Sequence, residues 1–200
     1  MTSKKTKKGS NSLEASHLSY QTQISSCYRA LRTDRDASSF LVALNGLANW
    51  KTLNMSKDDA IELGANALSE QRVDVCDVVF VLNELKVNYR MTFGFDAFLL
   101  MLETLSARNS LQSCQLPLDL AALGSLMESL LDPTTMIAAV PQQLPPPASV
   151  TEIKVHRKKL RFFCKSIDRI YALFPYIRLA PISSASVFRY METLVTFEQV

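Results

Sequence analysis

The chain has 200 residues, of which 48% are hydrophobic and 20% charged, so it can bury a sizeable core and wholesale disorder is not expected. Only 5 residues are glycine, which leaves too few turn signals for a many-stranded β-sandwich. The formal net charge of +3 conceals three blocks, with 7 basic and 3 acidic residues in 1–36, 6 basic and 12 acidic in 37–132, and 9 basic and 4 acidic in 150–200. Such segregation of charge indicates a binding surface and not a reaction centre.

A cluster of lysines opens the chain, at Lys4, Lys5, Lys7 and Lys8. We expect residues 1–19 to form a disordered basic arm, and a solvated tail, a nuclear address and a phosphate-binding arm are the open interpretations. No apolar core follows the lysines, so a secretory signal is not expected. We therefore expect an intracellular protein, cytoplasmic, nuclear or in an organelle, whose four cysteines are reduced thiols.

Residues 20–131 are predicted to form a helical body, because apolar residues recur three or four positions apart along most of this region. The first helix is expected over Tyr20–Arg35, with Arg29, Arg32 and Arg35 on one face. Five further helices are marked by apolar residues: Phe40, Leu44 and Leu47; Ile61, Ala65 and Leu68; Val78, Val79, Leu82 and Leu85; Phe95, Phe98 and Leu102; Leu120, Leu123, Met127 and Leu130.

Two local signals refine this body. Ser56 is a suitable N-cap, and the carboxylates of Asp58 and Asp59 behind it favour the positive end of a helix dipole. These acids are thereby explained without catalysis. Asp74 or a near neighbour opens the next helix, although the β-branched run over 75–82 is also compatible with a strand. The Leu-x-x-Leu spacing that continues beyond this run favours the helix.

A weak internal repeat is present in the body. Leu44–Leu47 (LNGL) recurs as Leu82–Leu85 (LNEL) 38 residues later. This period is in the range of helical-repeat proteins and is similar to the repeat length of several organelle RNA-binding solenoid families, which implies a short α-solenoid. Two unrelated helices that share a Leu-x-x-Leu core are the alternative.

Residues 132–150 are predicted to be a Pro-rich linker or surface loop. Five of the eight prolines lie in this segment, and 133–149 carries no charged side chain. The three prolines at Pro145–Pro147 favour an extended polyproline conformation. No Lys or Arg flanks them, so a spacer is favoured over a ligand for an aromatic groove.

The strongest pattern in the chain lies in 153–174. Leu160, Phe163, Ile167, Ile170 and Phe174 share one face of a helix. Five cations occupy the opposite face, at Lys154, Lys158, Arg161, Lys165 and Arg169, and Arg157, Lys159 and His156 flank them. The apolar face must pack on something, so the cations point outward. Phe162 borders the row, where its ring could stack on a base.

Four interpretations of this row remain open: a solvated face, binding to nucleic-acid backbone, docking on an acidic protein surface, and binding to an anionic membrane or a calmodulin-like groove. We favour nucleic acid, with RNA before DNA, because two separate basic blocks exist. The predicted binding residues are Arg29, Arg32, Arg35, Lys154, Arg157, Lys158, Lys159, Arg161, Phe162, Lys165 and Arg169.

A last helix is predicted behind Pro181, with Ser183 or Ser184 as its cap. Its apolar stripe is expected to comprise Val187, Tyr190 or Met191, and Leu194, packed against the basic helix. The segment 151–200 would then form a basic C-terminal helical pair that packs on the body. Overall the sequence predicts an all-α protein, either a helical-hairpin bundle or a short α-solenoid.

Patterns that would specify a chemistry are lacking in the sequence. The two histidines, His17 and His156, have no visible acidic partner, and His156 lies about 12 Å along a helix from Cys164. No cysteine pair has a metal-ligand spacing, and the glycines form no phosphate-binding loop. We therefore expect neither an enzyme nor a cofactor, metal site or transmembrane segment. The expected function is non-enzymatic binding of nucleic acid in a ribonucleoprotein or capsid-like assembly. The alternative is a helical adaptor for acidic protein partners, and a homo-oligomer is left open.

Overall fold

The computed structural model of the chain describes residues 7–48, 50, 55–87, 89–111, 119–132 and 150–199. Within these ranges eight α-helices follow one another, and no residue lies in a strand. The helices are α1 (Lys7–Asp34), α2 (Ala37–Ala48), α3 (Lys57–Ser69), α4 (Val75–Glu84), α5 (Thr92–Ala107), α6 (Leu120–Leu131), α7 (Val150–Leu173) and α8 (Ser184–Gln199). Short 3-10 helices lie at Tyr89–Met91 and Pro175–Leu179. The predicted all-α class is confirmed.

Helices α3 and α4 begin at polar caps. The Ser56 hydroxyl accepts the Asp59 N–H at 3.0 Å, and the Asp59 carboxylate accepts the Ser56 N–H at 3.3 Å, which forms a capping box. The Ser56 hydroxyl also donates to the Asp59 carboxylate at 2.7 Å, and this bond, together with the one from the Ser56 N–H, lowers the pKa of Asp59. The carboxylate of Asp74 accepts the Cys76 N–H at 2.8 Å at the start of α4. The predicted caps Ser56 and Asp74 are thus confirmed.

The run with strand-like composition is a helix. Val75, Val78, Val79 and Val81 of α4 are all buried, so this helix is apolar on most of its circumference. A helix that is apolar all round is stable when it lies in a core, because burial of the valines outweighs their modest helix propensity.

The described residues within 1–73 and 93–112 form one compact unit, which contains α1, α2, α3 and α5. Its core holds an aromatic cluster in which the Phe40 ring centroid lies 5.5 Å from that of Tyr28 and 5.0 Å from that of Phe98. Both pairs meet edge to face, the arrangement that the quadrupoles of aromatic rings favour.

Helix α1 differs from its prediction at both ends. It begins at Lys7, inside the segment expected to be an arm, and it ends at Asp34. Arg35 has a φ of 56°, in the left-handed region. The face predicted to carry Arg29, Arg32 and Arg35 is therefore wrong at its last member, because a residue in this conformation leaves the helix.

The described residues within 74–92 and 113–200 form a second compact unit, which contains α4, α6, α7 and α8. Helix α4 packs on α6 and α7, and α8 contacts both α6 and α7. The backbone that precedes α8 approaches α6 closely at Gly124, where an added Cβ would lie 2.5 Å from the carbonyl oxygen of Pro181. The predicted linker lies outside the described residues, apart from Asp132 and Val150. The predicted division into arm, body, linker and C-terminal segment stays a prediction.

The N-terminus of α8 agrees with its prediction, and its buried face does so in part. The Ser183 hydroxyl accepts the Ser186 N–H at 3.2 Å and caps the helix. Of the alternatives Tyr190 and Met191, Tyr190 is buried and Met191 is 52% exposed, whereas Val187, expected in the core, is 42% exposed. The side chain of Leu194 lies outside the described part of the chain. The Tyr190 hydroxyl lies 3.0 Å from Sγ of Cys164 on α7.

Candidate nucleic-acid interface

Helix α7 carries the predicted opposed faces. Phe163, Ile167, Ile170 and Phe174 are buried, and Leu160 is half-buried. Side chains spaced three and four apart lie on one side of a helix. Because these apolar side chains are buried within the second unit, the other side of α7 faces outward.

The outward side of α7 presents Lys158, Arg161 and Lys165, all of which are exposed. Arg157 and Arg169 are half-buried and are engaged in contacts within the chain. The three exposed cations extend over about 10 Å of helix at a rise of about 1.5 Å per residue. The predicted row thus has an accessible centre. The side chain of Lys154, like that of His156, lies outside the described part of the chain.

Lys159 has a structural contact that its place beside the row did not indicate. Its Nζ donates to the carbonyl oxygen of Lys86 at 3.0 Å and lies 5.7 Å from the centroid of the Tyr89 ring. Burial lowers the pKa of Lys159. These contacts tie α7 to the segment that follows α4, so Lys159 is less available to a ligand than the three exposed cations.

Phe162 belongs to an aromatic group at the edge of the row. Its ring centroid lies 6.0 Å from that of Tyr89 and 5.6 Å from that of Phe163, and both pairs meet nearly at right angles. Phe162 and Tyr89 are half-buried, and Arg90 beside Tyr89 is exposed. Sequence reasoning missed Tyr89, because the packing of α4 on α7, and no local pattern, brings it to Phe162.

Lys86, whose carbonyl oxygen accepts from Lys159, is a buried cation. Lys86 is only 7% exposed, and its Nζ donates to the carbonyl oxygen of Ser129 in the last turn of α6. A cation at this place meets carbonyl groups that lack partners within the helix and the negative end of the helix dipole. Burial nevertheless lowers the pKa of Lys86 to about 8, a fall that Asp132 opposes and Lys159 reinforces. Its role is to hold α6 and α4 together.

The remaining predicted residues belong to the other compact unit. Arg29, Arg32 and Arg35 are all exposed there, and Arg32 and Arg35 have contacts within the chain. Arg29 and Arg32 lie three apart near the end of α1, where cations favour the negative end of the helix dipole.

Other polar groups of the second unit stabilise its fold. A cleft of about 420 Å³ between α6 and α8 is lined by Ser125, Glu128, Ser129, Leu131, Asp132, Ser186 and Arg189. The Glu128 carboxylate accepts the Ser183 N–H at 2.7 Å, beside the positive end of α8. Burial and the contact with Cys164 raise the pKa of Tyr190, which keeps its hydroxyl protonated.

Among the described residues, no group of three or more His, Cys, Asp or Glu side chains is arranged to hold a metal ion. None of the helices in the described ranges combines the length and the apolar character needed to cross a bilayer. Cys27, Cys76 and Cys164 form no disulfide in the part of the chain that the structure covers. Comparison of the chain with protein-family models, curated proteins and solved structures gives no match.

Proposed function

We propose that the protein binds nucleic acid without catalysing a reaction, that single-stranded RNA is its ligand, and that it acts within a ribonucleoprotein or capsid-like assembly. The observation that supports this proposal is the pairing of two faces on α7. One face is buried through Phe163, Ile170 and Phe174, and the other presents exposed cations. The buried face holds the helix in place, so the cations are presented on a rigid element.

The cations favour the phosphate backbone as the ligand. Lys158, Arg161 and Lys165 occupy one side of α7 in sequence steps of three and four, and the outer positions are about 10 Å apart. Such a row can meet two or three phosphates of an extended strand. Contacts of this kind position a nucleic acid and carry no information about its sequence.

The aromatic group favours a single strand over a duplex. Phe162 borders the exposed cations and is held from two sides by Tyr89 and Phe163. A ring in this place can stack on an unpaired base, whereas the bases of a duplex are already stacked on one another. Recognition of RNA commonly uses such unpaired bases, which is why RNA is preferred to DNA in this proposal.

Filter binding across a series of salt concentrations tests the electrostatic part of the proposal. Each phosphate contact on a single strand contributes about −0.7 to the slope of log affinity against log salt, so three contacts give a slope near −2. Single-stranded RNA should bind more tightly than duplex RNA of the same length. An affinity that does not change with salt would contradict the proposal.

Two variants separate charge from stacking. The triple variant Lys158→Glu, Arg161→Glu and Lys165→Glu should lose binding while its helical circular dichroism is unchanged. The matched control changes three exposed cations outside the row, Lys57→Glu, Arg72→Glu and Arg178→Glu, with the same change in charge. This control should keep most of the affinity. Phe162→Leu should weaken single-strand binding about 10-fold, since one stacked base contributes about 1–3 kcal/mol.

The exposed cations of α7 could also bind an acidic protein surface. The alternative function is therefore that of a helical adaptor for acidic protein partners. Pull-down with and without nuclease distinguishes the two. Partners that are lost on nuclease treatment support the nucleic-acid proposal, and partners that persist and depend on Lys158, Arg161 and Lys165 support a helical adaptor.

A further inference from the structure

An open cavity lies between the second half of α7 and the 3-10 helix that follows it. The cavity has a volume of about 520 Å³ and is lined by Asp168, Tyr171, Ala172 and Arg178. This volume is within the range of roughly 300–1,000 Å³ that small-molecule sites occupy. All four residues belong to the second compact unit, and the contacts proposed above for the cations of α7 do not involve them.

The cavity continues the row of exposed cations along α7. Lys165, Asp168 and Ala172 are all exposed, and sequence steps of three and four place them on one side of the helix. At a rise of about 1.5 Å per residue, Ala172 lies about 10 Å beyond Lys165. A strand that follows the cations toward the end of α7 therefore leads to the cavity.

The charges of the cavity suit a nucleic-acid base better than a phosphate group. Asp168 is the only acidic residue in 153–174, and its carboxylate would repel a phosphate. Within the described part of the chain, neither Asp168 nor Arg178 has a hydrogen bond or an ion pair, although the charge of Asp168 acts on Tyr190. A carboxylate and a guanidinium are thus both available to one ligand, which must offer donors to the first and acceptors to the second.

We propose that this cavity binds a guanine base of the single-stranded RNA that lies along α7, an inference that rests on the proposed function. Guanine has two adjacent donors, N1–H and the N2 amino group, and two adjacent acceptors, O6 and N7. The donors pair with the two oxygens of the Asp168 carboxylate, and the acceptors pair with the Arg178 guanidinium. The half-buried ring of Tyr171 offers a surface on which the base stacks.

The other three bases are less well matched to the carboxylate. On the Watson–Crick edge, adenine has the acceptor N1 beside its amino group, cytosine has N3 beside its amino group, and uracil has a carbonyl on each side of N3–H. An ionised carboxylate accepts hydrogen bonds only, so each of these acceptors would face an acceptor of Asp168. The cavity therefore adds a preference for guanosine to a row of cations that carries no sequence information by itself.

Fluorescence anisotropy on the full chain, with single-stranded RNA oligomers of equal length, tests the proposal. The probes are oligouridine and the same oligomer with one central guanosine, inosine or adenosine. Guanosine should raise the affinity about 10-fold over oligouridine, and adenosine should not. Inosine, which lacks the N2 amino group, should give a smaller gain than guanosine.

The variant Asp168→Asn should lose the preference for guanosine and keep the affinity for oligouridine, because it turns one acceptor into a donor and preserves the shape. A purely electrostatic effect of Asp168 would change the affinity for both oligomers equally. Asp58→Asn is the matched control, since Asp58 is exposed on α3 in the other unit, and it should keep the preference. The triple charge control that contains Arg178→Glu should bind oligouridine as the wild type does and gain nothing from guanosine.

The outcomes separate this inference from the proposed function. Salt-dependent binding of oligouridine without a gain from guanosine, or a gain that survives in Asp168→Asn, would overturn the inference and leave the proposed function intact. Absence of binding to every oligomer would overturn both. Free guanosine monophosphate in excess should remove the gain from guanosine and leave the binding of oligouridine unchanged. Guanosine monophosphate that binds through Asp168 while the RNA oligomers do not differ would indicate a site for a free nucleotide and overturn the assignment to RNA.

Discussion

The buried side chain of Lys86 should make the free energy of unfolding depend on pH in the alkaline range. The side chain is 7% exposed, and burial lowers its pKa from 10.5 to about 8. At about 1.4 kcal/mol for each pH unit, this difference corresponds to about 3 kcal/mol against the charged form in the folded protein. The variant Lys86→Met removes the charge and keeps most of the aliphatic volume.

The sign follows from the protons bound in each state. Between the folded pKa near 8 and the unfolded pKa of 10.5, the folded protein has released the Lys86 proton, whereas the unfolded chain still binds it. The free energy of unfolding therefore rises with pH in this window. Lys86→Met lacks this titration, so the free energy of unfolding of the wild type should rise relative to that of Lys86→Met by about 2–3 kcal/mol from about pH 7 to about pH 10.

Urea unfolding followed by far-ultraviolet circular dichroism, repeated at several pH values, measures this difference. Lys158→Met serves as the control, because Lys158 is exposed on α7. A plot of the free energy of unfolding of Lys158→Met against pH should run parallel to that of the wild type. Parallel curves for the wild type and Lys86→Met would refute the reasoning, since Lys86 would then have the same pKa in both states.

Two further predictions concern the backbone. Gly124→Ala should lower the free energy of unfolding by about 1–2 kcal/mol, because overpacking against the Pro181 carbonyl outweighs the helix propensity of about 1 kcal/mol that alanine adds. In the control Gly46→Ala the new Cβ meets only the hydroxyl end of the half-buried Tyr20, so urea unfolding should show no comparable loss. Arg35→Gly should raise the urea midpoint, by about 0.5–1 kcal/mol in stability, because glycine adopts a φ of 56° without steric cost. Arg35→Ala should not, and equal midpoints for these two variants would contradict the argument.

The positions of the helices could be predicted because the signals that set them act over a few residues. Ser56 and Asp74 were recognised as caps from their immediate neighbours, and both accept the expected N–H groups. The opposed faces of α7 were readable because side chains three and four apart share a side of any helix. Arg35 was the exception, since nothing in the local pattern indicated that the chain turns left-handed there.

The candidate site was predicted only in part. The exposed cations Lys158, Arg161 and Lys165 follow from the period of the helix alone. The contact of Lys159 with Lys86 joins residues 73 positions apart, and the ring of Tyr89 reaches Phe162 by the same packing. Such pairs are set by which helices pack together, and a single sequence carries no local record of that choice.

By itself, then, the sequence determined an all-helical chain and the amphipathic character of α7, because capping and periodicity are properties of short segments. Only the tertiary structure decided the rotation of α8, where Tyr190 is buried against Cys164 and Phe188 and Met191 point to solvent. Among the described side chains of α8, Tyr190 is the buried one, because it fits against α7 at Cys164. That fit depends on the shapes of surfaces assembled from distant parts of the chain.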